Sequence, residues 1–378
     1  MIEPVFFYKN LINKGISFFT GVPDSLLKDF CAFIIDNIDQ ENNIIAANEG
    51  NAVALAAGYH LATNNIGLVY MQNSGIGNAI NPLLSLVNDK VYNIPVLLLI
   101  GWRGEPGTND ACQHIKQGAV TLDLLEAIGI PYEILPKSPS EAKKTIIKAH
   151  NYMMASNAPY AIVVRNRTFT KYSFNSKDKD INEFELTREN AIEIVLSKLK
   201  DEILISTTGK SSREVFEIRQ KLSHSHEKDF LVVGSMGHAS QIALAIANKK
   251  PNKNVLCLDG DGSLIMHLGG LATIGFLKPN NFKHIIINNG SHDSVGGQPT
   301  VGFDIDICSI ASASGYRYSY QVRSKNELTE KLNLLLKNEG PSLLEVQVRK
   351  GARKNLSRPS IGSIERKKLF MKYISDYM

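Results

Sequence analysis

Three short stretches hold side chains that could do chemistry together: Gly260-Asp261-Gly262, the amide pair Asn288-Asn289, and Glu49 within "IIAANEGNAVALAAGYHLA" (44–62). Asp261 ends the apolar run "NVLCLDGDG", and the asparagines end the next one, "KHIIINN", 27 and 28 residues after Asp261. A carboxylate and two amides at the ends of apolar strands are costly to bury without partners. A carboxylate, an amide oxygen and a turn carbonyl form an all-oxygen set suited to Mg²⁺, which completes its octahedron with phosphate oxygens and water. Gly262 and Ser263, at the start of the following helix, can offer amide donors to a phosphate. Taken alone, "GDG" reads as a strand-to-helix turn with a strand-end asparagine capping locally. The two ends taken together ask for a diphosphate and a magnesium ion.

Those residues need elements to position them. Apolar runs such as "ISFFTGV", "IGLVYMQ", "PVLLLIG" and "YAIVVR" alternate with helix-like segments in the first half of the chain. The second half repeats the pattern with "EILIST", "DFLVVGS", "NVLCLDG", "KHIIINN" and "LLEVQV". Apolar strands bounded by glycine and separated by helices indicate α/β architecture with doubly wound parallel sheets, one sheet in each half. Ligands in such sheets bind beyond the carboxyl ends of the strands, where Asp261, Asn288 and Asn289 fall. The expected domains are residues 1–167 and 187–378, joined by a polar linker over 168–186.

Composition narrows the function. At 378 residues with 43% hydrophobic and 21% charged side chains, the chain is expected to be a soluble globular protein of two domains. Its start, "MIEPVFFYKN", lacks the basic and apolar regions of a secretion signal. The four scattered cysteines form no C-x-x-C pair, which fits the reducing cytoplasm and argues against structural zinc. The net charge of +5 is concentrated in residues 349–378, which carry nine Lys/Arg and two Asp/Glu, so the remainder stands at −2. A nucleic-acid surface needs a basic face on a folded domain, and none is expected here. The basic tail reads as a solvated helix end or as a lid over an anionic ligand.

A GDG turn followed at this distance by an NN pair resembles the metal motif of the thiamine-diphosphate-dependent enzymes. The resemblance implies that Asp261, Asn289 and the carbonyl of Ser291 hold Mg²⁺. It further implies that Glu49 donates a hydrogen bond to N1′ of the cofactor's aminopyrimidine, with Asn73 in "NSGIGNAINP" lining the same pocket. Glu49 alone would be read as a first-turn acid favouring the helix dipole. "GSMGHASQIALAIA" (234–247) supplies Gly234, Ser235 and Gly237 for close backbone approach, and Met236 as the wedge that bends the cofactor. A methionine in such a place is otherwise ordinary core.

With no room for a third domain, the chain is most similar to the family branch acting on pyruvates that carry a phosphonate or sulfonate. "RGEPG" and "SHDSVGGQPT" are the discriminating stretches. The implied reaction is decarboxylation of 3-phosphonopyruvate to phosphonoacetaldehyde, a step of phosphonate biosynthesis, with sulfopyruvate as the alternative substrate. Asp24 in "GVPDS" and His114 in "CQHIKQG" are the expected proton-handling groups, although "PDS" could be a turn with Asp24 as N-cap. Arg103 and Lys116, flanking His114 on one expected loop, would clamp the second anion together with it. The family also implies a homodimer or larger homo-oligomer with sites at subunit interfaces, and neither nucleic-acid nor membrane partners. Two other classes fit the residues less well. A nicotinamide oxidoreductase is disfavoured because "GIGNAI" lacks the third glycine and a following acid. A non-catalytic cofactor-binding regulator is disfavoured because Glu49 is present.

Overall fold

The computed structural model describes residues 1–173 and 184–375. Part of the expected linker, residues 174–183, therefore lies outside the described residues. The chain divides into two compact units, 1–177 and 178–378.

The first unit is built on six parallel strands: β1 Phe18–Gly21, β2 Asn43–Ile45, β3 Gly67–Gln72, β4 Val96–Gly101, β5 Tyr132–Ile134 and β6 Tyr160–Val164, ordered β2-β1-β3-β4-β6-β5. Its central strands are apolar along their whole length because both faces are covered. On β4, Leu97 and Leu99 face one core with Phe7, Phe19 and Phe30, while Val96, Leu98 and Ile100 face the other. Alternation at period two thus feeds two cores from one continuous run.

The second unit repeats the design with β7 Ile203–Ser206, β8 Asp229–Leu231, β9 Val255–Gly260, β10 Phe282–Asn288, a small antiparallel hairpin of β11 Ser291–His292 with β12 Gln298–Pro299, then β13 Tyr318–Val322 and β14 Ser342–Gln347. The sheet order is β13-β14-β10-β9-β7-β8, again parallel. β9 sends Leu256 and Leu258 to one core and Val255 and Cys257 to the other.

Both sheets match the doubly wound expectation, and every expected strand is present. β5 and β13 carry no apolar run in the sequence because they are short edge strands, only half-buried or exposed over most of their length. The expected linker begins inside the first unit. Phe169 stacks on Phe30 with ring centroids 5.4 Å apart, and Ile2 bridges to it along the backbone. At the other end, Leu186 belongs to a core of the second unit.

The basic tail is docked, which corrects the reading of it as a solvated helix end. Arg353 Nε reaches Glu189 at 3.0 and 3.1 Å, its Nη2 pairs with Glu217, and Ser357 N donates to Glu217 at 2.7 Å. The helix Ser363–Ser375 buries Phe370 and Tyr373, with Phe370 5.4 Å from the Phe230 ring. Among the described residues no helix is long and apolar enough to cross a membrane.

Candidate active site

In the second unit, a cleft past the ends of β7, β9 and β10 gathers Met236, Gly262, Ser263, Asp261, Asn289 and Ser291. Asp261 opens the helix Asp261–Met266 and is 2% exposed. Burial pushes its pKa up to about 6, although Thr300 donates to Oδ2 and nearby backbone amides oppose the shift. Asn289 is buried, gives Nδ2 to Asp293 at 2.8 Å, and accepts Ser291 N on Oδ1 at 3.1 Å, leaving that oxygen a second lone pair. Pro299 pairs with Ser291 in the hairpin and carries no N–H, so it contributes no donor to the Ser291 carbonyl. Ser291 Oγ is buried without a hydrogen-bond partner among the described residues. Gly302 leaves the space free: a Cβ there would stand 2.8 Å from Asp261 Oδ2 and 2.6 Å from Asn288 Oδ1. A buried carboxylate, an amide oxygen, the Ser291 backbone and a hydroxyl with no partner among the described residues, gathered in one cleft, fit Mg²⁺ and a diphosphate.

Asn288 does different work from its neighbour. Its Nδ2 donates to Gly302 O at 2.6 Å and Glu345 at 2.8 Å, and its Oδ1 accepts Gly290 N at 3.1 Å, so its amide is consumed in holding the turn. Ser263 Oγ accepts Gly237 N at 3.0 Å and the Thr207 hydroxyl at 3.0 Å, tying the Gly234–Gly237 turn to the cleft. Gly237 has φ +86° and packs against the His267 ring, where no Cβ fits. Ser235 is exposed and takes φ +49° in the same turn.

Sequence reasoning missed the cleft's charged frame. Arg188 forks onto Glu214 at 2.7 and 2.9 Å and reaches Asp293 Oδ2 at 2.7 Å, all three nearly buried. Asp293 in turn holds Asn289. Thr207, Thr208 and Lys210 line the same cleft. The signal available for them was "STTGK" (206–210), small hydroxyl residues and a glycine between a strand and a helix.

In the first unit, Glu49 is the first residue of the helix Glu49–Thr63, and the Asn48 side chain caps it by accepting Asn51 N at 3.0 Å. Glu49 is 5% exposed, and its Oε2 accepts Asn78 Nδ2 at 2.7 Å. Its Oε1 abuts Gly75, where a Cβ would strike the carboxylate. Asp24 is fully buried beside Gly101, which has no room for a side chain, and Leu26 N donates to its Oδ2 at 2.9 Å. Burial raises the Asp24 pKa, only partly offset by that amide and by Arg103.

Three expectations change here. Arg103 is no free cation: its Nε and Nη2 fork onto Asp110 at 2.8 and 2.5 Å, and Nη1 donates to Ser25 at 2.6 Å. Hydrogen bonds to Asp110 raise its pKa. His114 and Lys116 do not share its loop, because they lie on the helix Cys112–Ala127, His114 half-buried and Lys116 exposed. The Asn73 side chain is committed within the fold, donating to Arg103 O and Thr121 Oγ1 at 2.8 Å each and accepting Arg103 N at 3.2 Å.

Two parallel sheets with an oxygen-lined cleft beyond the strand ends define a diphosphate-binding enzyme fold. Residues 6–126 match "Thiamine pyrophosphate enzyme, N-terminal TPP binding domain", and residues 207–346 match "Thiamine pyrophosphate enzyme, C-terminal TPP binding domain". The chain belongs to the thiamine pyrophosphate enzyme family. It is 32% identical over 379 residues to the phosphonopyruvate decarboxylase of Streptomyces viridochromogenes, covering 97% of this chain and 93% of that one. With the phosphonopyruvate decarboxylase of Streptomyces hygroscopicus it shares 31% identity over 97% and 92%. With the sulfopyruvate decarboxylase of Methanosarcina acetivorans it shares 28% over 92% and 90%.

Proposed function

We propose that this chain decarboxylates 3-phosphonopyruvate to phosphonoacetaldehyde and carbon dioxide, using thiamine diphosphate and Mg²⁺. The observation that carries the reading is the set of Asp261, Asn289 and Ser291 in one cleft of a chain similar over its whole length to phosphonopyruvate decarboxylases. In this reading the Asp261 carboxylate, Asn289 Oδ1 and the Ser291 carbonyl hold the metal. Gly262, Ser263 and the Gly234–Gly237 turn hold the diphosphate, and Met236 supports the cofactor's bend. When bound, thiamine diphosphate supplies the carbon nucleophile and the electron sink that accepts the carbon–carbon bond pair as carbon dioxide leaves.

The chain's own residues control protons and charge. Glu49, oriented by Asn78 and Gly75, holds the proton shared with the aminopyrimidine nitrogen. Asp24, whose raised pKa favours the acid form, retains a proton for return to the product carbon, with His114 as the second proton-handling group. Lys116 meets the substrate's second anion. Arg103, neutralised by Asp110, positions the loop over Asp24 and Ser25. A homo-oligomer of at least two chains belongs to the same reading and is checked by sedimentation.

The test supplies Mg²⁺ and thiamine diphosphate and measures carbon dioxide release from phosphonopyruvate, sulfopyruvate and pyruvate. Phosphonopyruvate should have the highest kcat/KM. A higher value for sulfopyruvate would transfer the assignment to that substrate, and no release from any of the three would remove it.

A further inference from the structure

The cations around the oxygen-lined cleft are not equivalent. Arg188 is spent on Glu214 and Asp293. Lys210 lines the same cleft half-buried and makes no hydrogen bond or ion pair among the described residues. It stands at the first position of the 12-residue helix Lys210–Lys221, directly after Gly209, whose φ of +95° turns the chain from β7 into that helix. Desolvation lowers its pKa, opposed by Asp293 at longer range and reinforced by Arg188. A half-buried ammonium with no directly paired carboxylate is unfavourable unless an anion arrives. Ser291, 7% exposed and with no partner for its Oγ among the described residues, lines the same space and points independently to a polar ligand.

We infer that Lys210 is a phosphate-binding residue of this chain, whose ammonium neutralises the part of the cofactor's diphosphate charge that the metal leaves over. The inference rests on the cofactor reading above. One Mg²⁺ shared with the Asp261 carboxylate does not cancel a diphosphate ester, and Arg188 is already compensated by two carboxylates. Among the described residues that line the cleft, Lys210 is therefore the cation still able to supply charge. The helix amides that follow it point the same way. Thr207 and Thr208 bring hydroxyls beside it, though Thr207 Oγ1 already donates to Ser263 and Thr208 Oγ1 to Val233 O at 2.8 Å. The ammonium then remains as the principal new donor.

The experiment is calorimetric titration of the full chain, wild type and Lys210→Met, with two probes: thiamine diphosphate plus Mg²⁺, and inorganic pyrophosphate plus Mg²⁺. Methionine keeps the apolar stem and removes the charge. Both probes should bind Lys210→Met about 10- to 100-fold more weakly, the worth of a charge-assisted contact. Lys210→Arg should stay within about tenfold of wild type, which also guards against a variant that fails to fold. Equal affinity of Lys210→Met and wild type for both probes overturns the inference while the cofactor reading stands. Unchanged cofactor affinity with a raised KM for phosphonopyruvate also overturns it, because the ammonium would then serve the substrate. Failure of wild type to bind thiamine diphosphate sinks both.

Discussion

Asp110 receives Arg103 in a two-point fork, Nε to Oδ2 at 2.8 Å and Nη2 to Oδ1 at 2.5 Å, and also caps Gly104 N at 3.0 Å and Ala111 N at 2.7 Å. One carboxylate thus fixes the loop that carries Arg103 and the start of the helix that carries His114 and Lys116. Burial works to raise the Asp110 pKa, but the Arg103 fork and the two amides hold it well below the usual carboxylate range. The folded pKa is depressed. The stabilisation is therefore present above the unfolded value of about 3.9 and fades as pH falls below it. Asp110→Asn should lose about 1–3 kcal/mol of stability at pH 7 and a smaller amount at pH 3, the loss disappearing only as pH falls through the depressed folded value. Denaturant unfolding of both proteins across that range checks the sign. An equal loss at both pH values would show that the fork carries no charge-dependent stability.

Glu49 depends on two neighbours. Gly75 has φ −70° and ψ −16°, so alanine suits its backbone, yet the new Cβ would strike the Glu49 carboxylate. Gly75→Ala should cut kcat by about 10-fold or more with a small change in thiamine diphosphate affinity, as should Glu49→Gln by a larger factor. Asn78→Ala removes the 2.7 Å hydrogen bond to Oε2 and should fall between them. Steady-state kinetics beside calorimetry separates the two effects. A Gly75→Ala enzyme with wild-type kcat would mean that Glu49 needs no fixed position.

Gly302 guards Asp261, the proposed metal ligand, in the same steric way. It has no left-handed φ to defend, but a methyl group there would meet Asp261 Oδ2 and Asn288 Oδ1 at once. Gly302→Ala should weaken Mg²⁺-dependent thiamine diphosphate binding by about tenfold or more, approaching Asp261→Ala, which should abolish it. Asn289→Ala should be milder, because water can replace one amide oxygen. Magnesium titration at fixed cofactor ranks the three. Tight binding by Asp261→Ala would remove that carboxylate from the metal site.

The spacing of Asp261 and Asn289 was legible because each ends a buried strand, and buried parallel strands announce themselves as apolar runs. Glu49 was legible only through the family resemblance, since a first-turn acid is ordinary. The frame around them was not. Arg188, Glu214 and Asp293 come from two helices and a turn spread over more than a hundred residues, and no local periodicity links them. Arg103 and Asp110 are close in sequence, but which cation is free depends on the loop's folding back, and residue type alone does not record it. Lys210 went unremarked for the converse reason: its importance lies in the partners it lacks.

The C-terminal segment separates a lid from a structural element. Deletion after Val348 removes Phe370 and Tyr373, 4% and 8% exposed, and frees Glu189 and Glu217 from Arg353. It also removes Gly351, whose N–H donates to Asp293 Oδ2 at 3.1 Å, the same oxygen that accepts Arg188 and Asn289. Two buried aromatics are worth about 3 kcal/mol or more together. The deletion should therefore lower Tm by several degrees and weaken cofactor binding through Asp293 and Asn289, where loss of a lid would raise the KM for substrate alone. Phe370→Ala isolates the packing contribution and should lower Tm without changing cofactor affinity. Thermal unfolding with calorimetry decides it: a deletion protein with wild-type Tm and cofactor affinity but a raised KM would restore the lid.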